Sequence, residues 1–353
     1  DTSSLAIAEE LNKDFDRLAA SLRDVPERHS SLQVVFEMSW RTLSGELRSR
    51  LARLALFRSG FTQTAARRVA DADERHLTAL HEKSLLTFDP ATERYALHSV
   101  VRAYAAAKRP PDDPAPHRHA DYFLSLLAEH AEPLQGAAPQ DCMAVISPDL
   151  DNVRLAWQTA LAAGAVRLLA PALPALSTVY QLRGLAREAE EVMQATHHAA
   201  TEWGEAGERL AVRAGLEWAR FQNRLGRYRP ALETAQHALA LAKRAGDVWA
   251  EGMGHILWGE SLWRLGEYDA AQQKLHHALL TAQVMSRDAA DAKHTTILVG
   301  WSHHHLGVID DIQGRYPSAL KHLRQACDAW HAIGYLQALG NSLNSVGIVY
   351  FHQ

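Results

Sequence analysis

One pattern returns three times in the second half of the chain and restricts what that half can fold into. It reads Arg224-Leu-Gly226-Arg-Tyr228-Arg-Pro-Ala231, then Arg264-Leu-Gly266-Glu-Tyr268-Asp-Ala-Ala271, then Ile312-Gln-Gly314-Arg-Tyr316-Pro-Ser-Ala319. A small residue stands seven positions before each glycine: Ala219, Gly259 and Gly307. Ala235 and Ala238 follow the first copy, Leu275 and Ala278 the second, Leu323 and Ala326 the third, and Gly347 occupies the small position of a fourth. Such a repeat predicts two antiparallel helices per copy. The small residue lets the second helix approach the first, the Gly-x-Tyr corner turns the chain, and the later Ala is a contact too crowded for a larger side chain. The glycines are 40 and 48 positions apart. A period of 40 allows two helices of about 17 residues, roughly 25 Å each. The eight additional residues of the longer period fall near 283–298 as a longer helix or connection.

This pattern resembles the tetratricopeptide (TPR) repeat, whose usual period is 34 residues, and an earlier degenerate copy surrounds Tyr180-Gln-Leu-Arg-Gly184. The resemblance implies an α-solenoid with a concave groove. Its inward positions would be Arg213, Arg220, Asn223 and Arg224 in one repeat and Glu260, Trp263 and Arg264 in the next. Trp301, His304 and Asp311 follow in the third, and Asn341 and Asn344 in the last. Arginine and tryptophan on a groove floor suit recognition, because they supply planar donors and large rigid contact area. The arginines could pair with phosphate or carboxylate; the plainer alternative is that Arg220 pairs with Glu260 of the adjacent repeat. The set does not reproduce the carboxylate clamp of chaperone-binding TPR proteins.

Composition bounds the rest. With 47% hydrophobic and 22% charged residues over 353 positions, wholesale disorder is excluded and two or three domains are expected. A net charge of −4 argues against a basic nucleic-acid binder. No apolar stretch reaches the ~18 residues of a membrane span, and no secretory leader is evident. Two cysteines offer at most one bridge, so the expectation is a reduced, cytoplasmic protein with no membrane partner. A first residue that is not Met, and an end inside a repeat, suggest part of a longer polypeptide.

Charge separates four zones: −3 over 1–29, +5 over 30–109, −6 over 110–165 and zero over 166–353. The breaker cluster Arg109-Pro-Pro-Asp-Asp-Pro-Ala-Pro116 marks a boundary. Before it, Leu32, Val35, Phe36, Ser39 and Leu43 form a helical stripe, and Leu47, Leu51 and Leu54 a second helix. Thr62 can cap a short helix to residue 70, and another helix spans 74–84. Residues 85–88 and 94–97 read as a hairpin, and a last helix runs from His98 to about Lys108. Helices, a hairpin and a closing helix suggest a winged-helix domain. Its basic residues are dispersed, with no helix built to read base edges, which argues against direct DNA binding; a DNA-binding regulator remains a third reading, discriminated by duplex binding with steep salt dependence.

Several segments then resemble one family. They are Arg23-Asp-Val-Pro-Glu-Arg-His-Ser-Ser-Leu32 with Ser39-Trp40, Leu54-Ala-Leu-Phe57-Arg-Ser-Gly-Phe61, Lys83-Ser-Leu-Leu86 and Arg94-Tyr-Ala-Leu-His98-Ser-Val-Val-Arg102-Ala-Tyr104. With Asp151-Asn152-Val-Arg154-Leu-Ala156-Trp157, they are similar to the bacterial STAND class of signal-transduction ATPases. The resemblance implies the end of a preceding helical region over 1–29 and a winged helix over 30–109. A helical arm over 110–165 and a TPR superhelical sensor over 166–353 would complete the chain. It also implies that His98 contacts ADP bound to a nucleotide-binding domain in the full-length protein, although Ser99 replaces the Asp that often follows this His. ADP-to-ATP exchange and oligomerisation on activation are implied as well.

The chain itself contains no Gly-x-x-x-x-Gly-Lys-Ser/Thr phosphate loop, no Gly-x-Ser-x-Gly elbow and no His-Glu-x-x-His pair. It is expected to hold no catalytic residue and no cofactor of its own. His303-His304-His305 are consecutive, so on a helix they diverge and no shared metal site is expected. The expected partners are an unidentified inducer, small molecule or protein, and the chain's own nucleotide-binding domain. The alternative function is a TPR scaffold for protein–protein interaction.

Overall fold

In a computed structural model of the chain, residues 37, 39–136, 138–288 and 291–353 are described. The expectations for residues 1–29, for the Arg23–Leu32 motif and for Leu32, Val35 and Phe36 lie outside the described residues. Within them the protein is mainly helical, with one two-stranded sheet. It divides into two units. One comprises the described residues up to Phe123 with Ser147–Thr159, the other Leu124–Ile146 with Ala160–Gln353. The stretch 110–165, read as an arm, is thus shared between them.

In the first unit, Ser44 caps α1 (Gly45–Leu54) by accepting from Leu47 N, and Thr62 caps α2 (Gln63–Ala70) by accepting from Ala65 N. A capping box of Asp73 and His76 opens α3 (Glu74–Glu82). The hairpin follows as β1 (Thr87–Asp89) and β2 (Arg94–Ala96), antiparallel, with Phe88 opposite Tyr95. The first strand starts two residues later than the sequence suggests. Ser84 takes a left-handed φ of 57° after α3, and Leu85 and Leu86 are buried instead of joining the ladder. α4 (Ser99–Ala107) completes this order of elements.

The Asp-Asn run of the expected arm folds into this unit. Arg94 holds Asp149 through two hydrogen bonds of 2.5 and 3.1 Å and also donates to Gly60 O. Asn152 donates to Asp149 Oδ1 at 2.8 Å and to Ser59 Oγ at 3.0 Å, and accepts from Arg58 N at 2.8 Å. The loop after α1 is therefore fixed from both sides, above a core where Phe57 stacks on Phe61 at 4.4 Å.

Helices α5 (Ala115–Glu129), α6 (Ala131–Gln135), α7 (Pro139–Ile146) and α8 (Leu150–Ala162) lead to the repeats. These form three closely packed pairs and a final helix, preceded by α9 (Val166–Leu182) and α10 (Ala186–Glu202), which touch each other far less; the first pair is α11 (Glu208–Arg224) with α12 (Tyr228–Ala245). The next are α13 (Val248–Arg264) with α14 (Tyr268–Met285), α15 (Ala292–Ile312) with α16 (Tyr316–Ala332), and α17 (Leu336–His352). The inserted eight residues appear as a 21-residue α15, against 17 in α11 and α13, and a longer stretch between Met285 and Ala292.

Gly226, Gly266 and Gly314 turn each corner at φ of 75°, 85° and 73°, where other residues are strained. The small positions are close approaches. A Cβ on Gly259 would lie 3.0 Å from Leu275 Cγ, and on Gly307 only 2.6 Å from Leu323 Cγ. One apolar core of Leu216, Ala238, Ile256, Leu275, Leu298 and Ile309 runs unbroken through α11–α15. The first helices α11, α13 and α15 also pack on one another more closely than the second helices do, which curves this unit with the first helices on its inner face.

Candidate ligand-binding groove

The inner face is lined from α11, α13, α15 and α17, whose spacing brings equivalent positions of successive repeats side by side. Arg220, Arg224, Glu260, Arg264 and His304 gather there as one electrostatic cluster. Arg264, Arg220 and His304 all act on the Glu260 carboxyl, and Glu260 acts in turn on Arg224 and His304. Burial raises the Glu260 pKa, and those neighbours, with a hydrogen bond to Asn223, oppose the rise. Burial lowers His304 and His305 to about 3, so both imidazoles are neutral at pH 7.

The arginines in this cluster keep unused donors. Arg220 does not pair with Glu260 as the sequence reading allowed: its ion-pair partner is Glu217, one turn away on α11, at a long 3.3 Å. The reason is local, since residues three apart on a helix are already neighbours, and the buried Arg220 Nε still lacks an aligned hydrogen bond. Arg264 lies over the ring of Trp263 at 4.1 Å. Among the described residues no ion pair or hydrogen bond engages the Arg264 or Arg224 guanidinium. Trp263 Nε1 and the buried His305 Nδ1 are likewise unpartnered.

Beside them runs a wall of rings. His305 lies 6.4 Å from Trp263 and stacks on Trp301 at 5.9 Å; Trp301 meets Trp330 at 5.2 Å, and Trp330 meets Tyr335 at 5.8 Å. His304 Nδ1 and Trp330 Nε1 converge on Ser342 Oγ at 3.0 and 3.1 Å. Burial pushes the Tyr335 hydroxyl up to about 12, with Arg220 and Glu217 within electrostatic reach.

Other expected groove residues are occupied elsewhere. Arg213 binds Asp247 at 2.8 Å and lies on Trp249 at 3.9 Å, tying α11 to the start of α13. Asn223 is buried, accepts from Ser261 Oγ at 2.9 Å and reaches Leu257 O. Asp311 contacts His352 Nδ1 at 3.0 Å. Asn341 and Asn344 are exposed on α17, and among the described residues no hydrogen bond or ion pair joins them to the cluster. The three adjacent histidines diverge to different neighbours, His303 to His322, His304 to Ser342 and His305 to the tryptophans. Glu217, His305 and Tyr335 belong to the site but escaped the sequence reading. Glu217 was legible as an i,i+3 partner of Arg220, whereas nothing local marked Tyr335.

An open depression of about 510 Å³ lies along α14 by Gln272, Gln273 and His276, lined by none of the residues of this cluster. In the first unit, His98 is exposed at the start of α4 and its Nδ1 accepts from Val100 N at 3.5 Å.

No family model matches the sequence. No curated protein matches it either. Among solved structures, the chain is similar to a Signal Transduction ATPase with Numerous Domains (STAND) protein with a tetratricopeptide repeat sensor from Pyrococcus horikoshii. The identity is 16% and the TM-score 0.34, over 90% of this chain and 55% of that one. The chain thus spans about half the length of that protein. Among the described residues no helix is long and apolar enough to cross a membrane.

Proposed function

We propose that this chain is the regulatory portion of a STAND-type signal-transduction ATPase, in which the groove of the helical repeats binds an inducer. The observation that carries the reading is the set of three arginines, Arg220, Arg224 and Arg264, holding unused donors beside half-buried tryptophans on an inner face. Arg213, by contrast, spends its donors on Asp247. The helix–hairpin–helix unit supports a winged helix that relays the bound state to a nucleotide-binding domain of the full-length protein. The chain itself is not the enzyme and needs no cofactor of its own; ADP and ATP belong to the full-length switch, which is cytoplasmic and oligomerises when active.

His98 fits the role of holding an ADP diphosphate. It is exposed and stands at a helix N-terminus, where anions are favoured, and only one of its nitrogens is used in capping. The nucleotide, when bound, would supply the phosphate oxygens for that contact. An inducer shifts these states only through unequal affinity for them.

Thermal melting of the chain with low-mass and high-mass fractions of its host's cytosol tests the reading. A ligand at 100 times its Kd adds about 2.7 kcal/mol, which raises the midpoint by several degrees at roughly 2–4 °C per kcal/mol. A rise with the low-mass fraction that is lost in the Arg224→Ala, Arg264→Ala double variant is expected. A rise with the high-mass fraction alone would replace the inducer site with a protein-binding scaffold.

A further inference from the structure

The chemistry of the groove also limits what can occupy it. Arg220 and Arg224 from α11 and Arg264 from α13 lie within electrostatic reach of the Glu260 carboxyl, and among the described residues Glu217 is the only other carboxylate that acts on Arg224. The neighbouring His304 and His305 are uncharged at pH 7 and add nothing, so three guanidinium groups against two carboxylates leave the cluster net positive. Each guanidinium presents a planar fork that matches an oxyanion with several oxygens. Arg220 is only 22% exposed, so its charge acts where water screens it less than at the surface.

The aromatic wall adds a second requirement. Trp263 and Trp301 are half-buried, each near His305, and the ring series continues to Trp330 and Tyr335. Trp263 Nε1 and His305 Nδ1 sit buried without partners, and His305 is 6% exposed. Such groups carry a desolvation cost that a ligand atom can relieve. A free inorganic anion would satisfy the arginines and leave the rings unused. An uncharged ring would do the reverse.

From this geometry we propose that the groove binds a small molecule in which a phosphate monoester is joined to a flat ring system. The phosphate is held by Arg220, Arg224 and Arg264, and the ring lies against Trp263 and Trp301. A phosphate is favoured over a carboxylate because its three terminal oxygens can engage three forks, whereas a carboxylate offers two. The inference rests on the inducer-site reading above and names the class of molecule that site takes.

The test is calorimetric titration of the whole chain with four probes: 1-naphthyl phosphate, 1-naphthoate, 1-naphthol and inorganic phosphate. The naphthyl phosphate is expected to bind at least about tenfold more tightly than any other, a difference of about 1.4 kcal/mol. Arg224→Ala and Arg264→Ala should each weaken it by about tenfold, and its affinity should fall as salt is raised. Arg229→Ala, an exposed position on α12, should leave it unchanged. Trp301→Leu should weaken naphthyl phosphate while leaving inorganic phosphate unaffected. Naphthoate binding as tightly as the phosphate would overturn the phosphate assignment, and equal binding of naphthol would overturn the anionic one. If the low-mass fraction stabilises the chain while none of the four probes binds or displaces its active component, the ligand class fails and the sensor reading stands. If neither the fraction nor any probe binds, both fail.

Discussion

At the scale of single residues, the fold depends on a few positions where space or charge leaves no alternative. Gly307 and Gly347 occupy the same place in their repeats, yet a Cβ at Gly307 would stand 2.6 Å from Leu323 Cγ while nothing lies within 4 Å of Gly347. Gly307→Ala should therefore destabilise by about 1–3 kcal/mol through overpacking. Gly347→Ala should instead stabilise by up to about 1 kcal/mol, because alanine favours the helix; paired denaturant titrations check the opposite signs. In the first unit, Asp149→Ala would leave Arg94, only 15% exposed at its side chain, without its carboxylate. Breaking a buried pair in this way costs about 3–5 kcal/mol, readable as an earlier melt of that unit. Trp330, fully buried between Trp301 and Tyr335, should cost about 3–5 kcal/mol when replaced by alanine.

At the scale of elements, the repeat helices were legible because their signal is redundant. The corner glycine, the small residue before it and the alanine after it each constrain the same helix pair, and the 17-residue length follows from the period. Thr62 was legible as a cap because a hydroxyl residue just before a helix can accept from a free N–H of the first turn, here that of Ala65. The start of β1 was not, since Leu85 and Leu86 suit a strand as well as a core, and the left-handed Ser84 that decides between them has no sequence mark. The groove was half legible. Arg224, Glu260, Trp263, Arg264, Trp301 and His304 share a face by periodicity, but whether an arginine's donors are free depends on a neighbouring helix. Arg213 shows this: the Asp247 that occupies it also caps α13, and no repeat pattern announces that. The pairing of the Asp151-Asn152 run with the loop at Arg58–Gly60 is likewise a contact across more than 90 residues.

At the scale of the whole molecule, the histidines packed between repeat helices set a pH dependence. His255 and His303 are lowered to about 4, and His304 and His305 to about 3, each chiefly by burial. An unfolded chain titrates its histidines near 6.5, so between about pH 6.5 and 3 it binds more protons than the folded one, and stability falls as pH falls through that window. Glu260, with its raised value, acts in the opposite sense but is a single group. Melting of the repeat unit should be nearly constant above about pH 7 and drop progressively below about pH 6.5. A flat profile would mean that these imidazoles are hydrated in the folded state. The same packed interior carries the inner face of the repeats that is proposed to recognise a small molecule. Hydrogen–deuterium exchange of the whole chain, with and without the low-mass cytosolic fraction, tests whether the ligand sits on that face. Added protection is expected in the inner helices around Arg220–Arg224, Glu260–Arg264 and Trp301–His305; protection confined to the outer helices, or to the unit that carries His98, would rule out a ligand on the inner face.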